Sequence, residues 1–313
     1  MNTQPVRIGT RASKLALVQA GLMQARIAAA LGGGLGAAPL IHITTSGDRI
    51  QDRRLMDIGG KALFTKEIEE ALLDGRIDCA IHSLKDMPAQ SPPGLVIAAI
   101  PEREDPRDAF LSEAFESLAA LPQRARLGTA SLRRQAQALN RRPDLEMVHL
   151  RGNVDTRLAK MARGEADAII LAAAGLNRLG LGHLARMLID PVEAPPAPGQ
   201  GALAIQTRAE DADAPWVAVL RHAPTALAVA GERGALMALE GSCRTAIGAH
   251  GRLEGGRLHL IVEALTPDGA RRFRREGEAD VSGPAAETAA RDLGLKLGAE
   301  IGAEGGEALL APQ

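Results

Sequence analysis

The feature that most constrains the fold of this chain is a strand–helix rhythm in its first third. Short apolar runs predict strands, and longer runs with helical spacing predict the helices between them. The strands are Val6–Gly9, Leu40–Thr45, Cys79–His82 and Leu95–Ile100, the helices are Ser13–Leu31 and Thr65–Leu73, and Ser46–Lys61 is a polar loop. Such alternation predicts an α/β fold with a doubly wound, parallel or mixed sheet.

The same rhythm returns further along the chain. It predicts strands at Ala125–Gly128, Leu145–Leu150, Ala168–Ala173 and Ala202–Thr207, with helices at Leu132–Arg141 and Asp155–Arg163. Two proline-bounded stretches, Pro101–Pro106 and Pro191–Pro198, are typical of chain crossings between domains. Two similar units joined by two crossings predict a two-lobed protein with a cleft between the lobes.

A different pattern begins at Thr225. It predicts a helix over Ala226–Leu239, a loop over Glu240–Thr245, and a hairpin of Ala246–Leu253 with Arg257–Leu265. A last helix is predicted at Ala285–Leu297, so this part is expected to form a small α+β domain.

Composition narrows the classes of function. The net charge of −1 gives no electrostatic reason to expect nucleic acid or an anionic membrane, and 4 Phe, 1 Trp and no Tyr argue against base stacking. Two cysteines form no disulfide framework, and the 7 histidines show no metal-ligand spacing. With no signal-type or membrane-spanning apolar run, we expect a cytoplasmic protein without a metal.

Four predicted strand-to-helix turns combine small or hydroxyl residues with cations. They are Gly9–Ser13, His82–Asp86, Gly128–Arg134 and Leu150–Arg157. Backbone N–H groups, hydroxyls and guanidinium groups at such turns bind carboxylate or phosphate. Since no nucleotide-binding glycine motif occurs there, we expect a ligand with several carboxylates. The adjacent Arg133 and Arg134 strengthen this expectation, because an anion between the lobes would neutralise both.

Three other side chains could take part in chemistry or merely in structure. Asp86 is either a turn residue in a surface ion pair with Lys85 or a carboxylate that stabilises positive charge on a ligand. Cys79 lies in an apolar strand and is expected to be a buried small hydrophobe. Cys243 lies in a loop beside Arg244, so it is either a reactive thiolate or a loop cysteine without function.

In their order and spacing, these segments resemble the porphobilinogen deaminase family along nearly the whole chain. The segments that carry the resemblance are Arg7–Leu17, Gly59–Phe64, Ile81–Pro88, Glu102–Ala109, Gly128–Gln135, Leu150–Val154, Ala174–Gly180, Pro198–Ala202 and Glu240–Cys243. The chain departs from the family pattern at the cysteine loop, where Ser242 stands in place of an expected Gly and no Pro follows shortly after Cys243.

The resemblance implies a transferase that joins four porphobilinogen units head to tail on a covalent dipyrromethane cofactor and releases hydroxymethylbilane for tetrapyrrole biosynthesis. It implies that Cys243 carries the cofactor through a thioether and that Asp86 is the catalytic carboxylate. Cofactor contacts would come from Lys85, Arg133, Arg134, Ser83, Thr129, Ser131 and Asp86. Substrate contacts would come from Arg11, Ser13, Arg151, Arg157 and Arg178, with Lys61 and Phe64 in a mobile region over the cleft.

The crossings and the resemblance together predict three domains. Domain 1 comprises residues 1–101 and 202–222, domain 2 comprises residues 102–201, and domain 3, with the cofactor cysteine, comprises residues 223–313. The first two are expected to be of the periplasmic-binding-protein type. We expect a monomer whose partner is the small-molecule substrate. Two rivals are a non-catalytic solute-binding protein and a cysteine-nucleophile acyltransferase or hydrolase, which would need a base such as His250 near Cys243.

Overall fold

A computed structural model describes residues 4–49, 63–239 and 245–310. In these ranges, helices pack on two five-stranded sheets and on one three-stranded sheet. The α-helices are α1 Lys14–Ala30, α2 Ser46–Arg49, α3 Lys66–Leu73, α4 Leu132–Arg141, α5 Val154–Ala162, α6 Ala173–Arg178, α7 Pro215–Ala218, α8 Ala223–Leu239 and α9 Ala286–Gly305. None of the helices in these ranges is both long and apolar enough to cross a membrane.

The strands run from β1 to β13. They are β1 Ile8–Thr10, β2 Leu40–His42, β3 Cys79–Ser83, β4 Leu95–Ala99, β5 Asp108–Leu111, β6 Arg126–Gly128, β7 Glu146–Val148, β8 Ala168–Ala172, β9 Met187–Leu188, β10 Leu203–Arg208, β11 Ala246–Glu254, β12 Arg257–Leu265 and β13 Arg272–Asp280. The chain divides into two compact units, Met1–Glu104 with Ala202–Ala226, and Asp105–Gly201 with Leu227–Gln313.

The first unit contains a mixed five-stranded sheet in the order β2-β1-β3-β10-β4. β1 is parallel to β2 and β3, whereas β10 is antiparallel to β3 and β4. Residues Ile27 of α1 and Ile205 belong to the apolar core on one face, and Ile68 and Leu72 of α3 belong to the core on the other. Because helices bury apolar side chains on both faces, this is the doubly wound arrangement that the rhythm predicts.

The second unit contains a similar sheet, in the order β7-β6-β8-β5-β9. β6 is parallel to β7 and β8, and β5 is antiparallel to β8 and β9. Each sheet therefore places three parallel strands beside one antiparallel strand and a further strand. The predicted α/β class is confirmed.

An ion pair of the same kind occurs in each of the two sheets. Arg7, just before β1, binds Asp78, just before β3, with a nitrogen–oxygen distance of 2.8 Å, and the backbone N–H of Arg7 donates to the same carboxylate. Arg126, at the start of β6, binds Asp167, just before β8, also at 2.8 Å and with the same backbone bond. In each unit the pair fixes two neighbouring parallel strands side by side.

The smaller sheet β11-β12-β13 is antiparallel and belongs to the second unit. α8 and α9 pack closely: a Cβ atom added to Gly294 would overlap the carbonyl oxygen of Gly231. On α4, Ala136 forms a buried cluster with Ala246 and Leu265 of the small sheet. The predicted α+β character of this part is confirmed, and β13 is a strand that the sequence did not predict.

Candidate functional site

The parallel pairing of β1 and β3 brings two of the predicted turns to one edge of the first sheet. Ile8 pairs with Cys79, so the carboxyl ends of both strands lie side by side. Ser13 caps α1, where its hydroxyl accepts a hydrogen bond from the backbone N–H of Ala16 at 3.4 Å. After β3 a short 3-10 turn, Leu84–Asp86, carries Lys85 and Asp86. The structure thus places cations, hydroxyls and the Asp86 carboxylate at this edge.

Side-chain contacts connect the groups at this edge. The guanidinium carbon of Arg11 lies 4.4 Å from the centre of the Phe64 ring, a cation–π distance. The amide nitrogen of Gln19, on α1, donates to the hydroxyl of Ser83 at 3.0 Å. Gln19 was not singled out in the sequence. It attaches α1 to the end of β3, so the helix and the Asp86 turn hold a common position.

The second sheet has an equivalent edge. Thr129 follows β6, and its backbone N–H donates to Val148 at 2.9 Å, which aligns the ends of β6 and β7. The hydroxyl of Thr129 accepts from the backbone N–H of Ser131 at 3.1 Å, and Ser131 in turn caps α4. Both hydroxyls therefore also serve the local backbone, as is common where a strand turns into a helix.

Three further predicted cations follow the strands of the second sheet. Arg151 follows β7, Arg157 lies on α5 and Arg178 ends α6, which follows β8 directly. The Nε atom of Arg157 donates to the carbonyl of Gly152 at 2.7 Å, and an Nη atom of Arg178 donates to Gly201 at 2.7 Å. These bonds orient the two guanidinium groups.

Arg133 and Arg134 share one carboxylate inside the protein. Both bind Asp108 at 2.8 Å, one on each carboxylate oxygen, and the three side chains are 5%, 6% and 2% exposed. Gln200 donates to Asp108 at 2.8 Å, and Arg134 donates to the carbonyl of Ile170 at 3.0 Å. Asp108 supplies one negative charge for the two positive charges of Arg133 and Arg134, so the protein itself balances only part of the charge that the sequence assigns to an external anion. Their contact with the cofactor stays a prediction.

The charges in this cluster shift its pKa values. Burial alone would raise the pKa of Asp108, but the positive charges and hydrogen bonds of Arg133 and Arg134 outweigh it and hold that pKa well below its usual range. Burial lowers the pKa of Arg133, an effect that Asp108 opposes. The cluster depends on Asp108 being ionised.

Sequence reasoning overlooked Asp108. It lies within the Glu102–Ala109 segment, but nothing in that segment distinguishes it from Asp105 or Glu104. The available signal is that Asp108 precedes an apolar run, Ala109, Phe110 and Leu111, which the structure shows to be fully buried. An acidic residue at the start of a fully buried strand requires a buried cation.

Two predicted site residues, Cys243 and Lys61, lie outside the described residues. The other cysteine, Cys79, is fully buried, and burial raises the pKa of its thiol, as expected for a cysteine that packs as a small hydrophobe. Among residues 4–49, 63–239 and 245–310, no group of three or more His, Cys, Asp or Glu side chains is arranged to hold a metal ion.

Together, these features describe an α/β protein with two related sheets, each with cations and hydroxyls at the carboxyl ends of its parallel strands. That is the usual position for binding anionic ligands in such folds. Two family models match the chain: "Porphobilinogen deaminase, dipyromethane cofactor binding domain" over residues 6–215 and "Porphobilinogen deaminase, C-terminal domain" over residues 226–303. The chain belongs to the porphobilinogen deaminase family, a family of enzymes, which confirms the resemblance.

Curated relatives agree over the full length. A protein named porphobilinogen deaminase from Caulobacter sp. (strain K31) is 71% identical over 315 residues, which are 99% of each chain. Two further relatives bear the same name. The one from Caulobacter vibrioides is 69% identical over 99% of this chain and 98% of its own, and the one from Phenylobacterium zucineum is 66% identical over 99% of this chain and 100% of its own.

Solved structures with a related outline include a periplasmic substrate-binding protein of an ABC transporter from Coxiella burnetii. It is 17% identical and covers 73% of this chain and 96% of its own, with a TM-score of 0.43. A nutrient-binding protein from Burkholderia cenocepacia, bound to methionine, is 18% identical. It covers 69% of this chain and 89% of its own, with a TM-score of 0.42. Likeness of this degree says nothing of what this chain binds.

Proposed function

We propose that this chain is a transferase that deaminates porphobilinogen, joins four units head to tail on a covalent dipyrromethane and releases hydroxymethylbilane. The observation that carries the proposal is the family match, which spans residues 6–303 almost without interruption. Cations and hydroxyls at the strand ends of both sheets suit the chemistry, because every pyrrole ring of substrate, cofactor and product carries two carboxylates.

We assign the cofactor thiol to Cys243 and the domain boundaries to residues 1–101 with 202–222, 102–201 and 223–313. When bound, the dipyrromethane supplies a nucleophilic pyrrole carbon to which the first substrate unit is joined. The donor set fits such a group: Ser83 ends β3 and Lys85 follows it, and Thr129 and Ser131 follow β6. Arg11, Arg151, Arg157 and Arg178 hold substrate carboxylates. We further propose a cytoplasmic monomer that binds neither nucleic acid nor membrane.

Asp86 acts as the catalytic carboxylate in this proposal. Loss of ammonia from porphobilinogen leaves an electron-poor carbon on a ring that carries positive charge. A carboxylate that accepts a hydrogen bond from the pyrrole N–H stabilises this charge as it develops. The half-buried turn after β3 supplies the position, and the contact between Gln19 and Ser83 holds the start of that turn.

The two rivals explain less of the molecule. A solute-binding protein needs neither a cysteine shortly after α8 nor a third sheet. For a cysteine hydrolase, the nearest histidine in sequence is His250, which lies within β11 and is half-buried.

The test is porphobilinogen consumption and ammonia release by the purified enzyme, compared with its Asp86→Ala variant. We expect wild-type turnover and, in the folded variant, a loss of roughly 10²–10⁴-fold, the usual contribution of a proton-handling or charge-stabilising group. Asp74→Ala, an exposed acidic residue on the same unit, is the control and should retain activity. Failure of the wild type to consume porphobilinogen would refute the function. Full activity of Asp86→Ala would remove Asp86 from the mechanism.

A further inference from the structure

A chain of three buried polar side chains crosses the first unit behind the Asp86 turn. The Nε2 atom of His82, on β3, lies 3.1 Å from the Oε1 atom of Gln206, on β10. The amide nitrogen of Gln206 donates to Glu69 on α3, also at 3.1 Å. The three residues are 6%, 0% and 8% exposed. Since unsatisfied buried polar groups cost free energy, the geometry of this chain is strongly specified.

The chemistry of the three groups fixes the direction of the hydrogen bonds. A carboxylate only accepts, so the amide nitrogen of Gln206 faces Glu69 and its oxygen faces His82. That oxygen also only accepts, which requires His82 to carry its proton on Nε2. Glu69 therefore selects, through Gln206, one tautomer of the His82 ring.

The ring is held neutral as well as oriented. Burial lowers the pKa of His82 to about 4. The negative charge of Asp86 acts to raise this pKa, but its effect is smaller than that of burial. The charges of Asp86 and Arg11 both act on this ring, so it lies close to the predicted catalytic edge. A neutral ring adds no charge that would compete for Asp86.

We propose that His82 is a positioning residue, locked as a neutral Nε2–H tautomer by Gln206 and Glu69, which fixes the end of β3 and with it the Asp86 carboxylate. The inference rests on the proposed function of Asp86. His82 lies next to Ser83, where β3 ends, and the Asp86 turn starts at the following residue. A shift of the ring would move that turn.

The experiment uses the holoenzyme and two variants that break the chain at different points. Gln206→Leu removes both hydrogen bonds, and Glu69→Gln keeps the volume but lets the amides take either orientation. Thr207→Val is the matched control, because it removes a buried hydroxyl that donates to the Arg208 carbonyl at 2.8 Å. Thr207 is next to Gln206 on β10, so its side chain lies on the opposite face of the sheet.

The tautomer of His82 is read from the ¹⁵N shifts of its ring, assigned by their loss in His82→Gln. We expect Nε2–H in the wild type and in Thr207→Val, and a mixture of tautomers in both test variants. kcat, per enzyme molecule that carries the cofactor, should fall roughly tenfold in the test variants, as for other residues that orient a reacting group. KM should stay within about twofold, because the carboxylate-binding cations are untouched.

Three results would overturn the proposal: Nδ1–H as the wild-type tautomer, a kcat in Glu69→Gln equal to that of Thr207→Val, or a change in KM alone. If Gln206→Leu does not fold, Glu69→Gln carries the test. Failure of the proposed function is distinguishable, because the wild type itself would then leave porphobilinogen unchanged.

Discussion

Replacing Asp108 by Asn should destabilise the second unit strongly, because it leaves two buried cations without a counter-charge. The substitution keeps the shape of the side chain but removes the charge shared by Arg133 and Arg134, which lie 2.8 Å away on either side. Both guanidinium groups would remain buried, 5% and 6% exposed, with no carboxylate between them. Arginine side chains keep their charge in proteins at ordinary pH.

The size of the effect follows from this burial. Removing one partner of a buried ion pair costs about 3–5 kcal/mol, chiefly because the other charge is left uncompensated. The free energy of unfolding of a whole domain is about 5–15 kcal/mol. For a unit of this size we therefore expect Tm to fall by about 6–20 °C, at about 2–4 °C per kcal/mol.

The assay is urea and thermal unfolding followed by circular dichroism. Asp167→Asn serves as the control, since Asp167 pairs with Arg126 at the same 2.8 Å but with both side chains about a third or more exposed; its cost should be about 1 kcal/mol or less. Adding Arg133→Met to Asp108→Asn should recover part of the loss, with a coupling of about 0.5–3 kcal/mol. If Asp108→Asn is as stable as Asp167→Asn, the buried cluster does not depend on the Asp108 charge and the expected cost is refuted.

Two further predictions concern packing and pH. Gly294→Ala should lower the free energy of unfolding by about 3 kcal/mol, because its Cβ would overlap the Gly231 carbonyl between α8 and α9. Gly21→Ala, inside α1 with open space around it, should instead raise that free energy by about 0.5–1 kcal/mol. Equal Tm values for the two variants would contradict this prediction. The difference in unfolding free energy between wild type and Asp108→Asn should be constant above pH ~5 and narrow below pH ~4. A depressed folded-state pKa gives stability that is present above the unfolded pKa and lost as pH falls toward the folded one, so a constant difference down to pH ~3 would show that Asp108 is not held ionised.

Sequence patterns predicted the repeated elements well because each has a local signal. α4 spans Leu132–Arg141 as predicted, with Ser131 as its N-cap, and Ser13 caps α1. β13, which the sequence did not predict, lacks such a signal. β13 reads Arg-Phe-Arg-Arg-Glu-Gly-Glu-Ala-Asp, and only Phe273 within it is buried. It is a strand because β12 pairs with it along its length, which depends on tertiary structure.

The candidate site shows the same division. Strand-end turns could be found from the chain alone, and the structure places them at the carboxyl ends of parallel strands. The pairing of Asp108 with Arg133 and Arg134 could not be found from the chain alone. Asp108 lies 25 residues before Arg133, and it becomes a neighbour of the two arginines only when β5 pairs with β8. The predicted loop over Ser46–Lys61 is wrong at its start, where α2 covers Ser46–Arg49; its remaining residues lie outside the described ranges.

The central claim is that Cys243 carries dipyrromethane, and intact-protein mass spectrometry tests it most directly. Purified enzyme should have a mass above that of its 313 residues by one dipyrromethane unit. Peptide mapping should locate the addition on Cys243, and it should be absent from Cys243→Ser and unchanged in Cys79→Ser. An unmodified Cys243 thiol in enzyme that turns over porphobilinogen would contradict the claim.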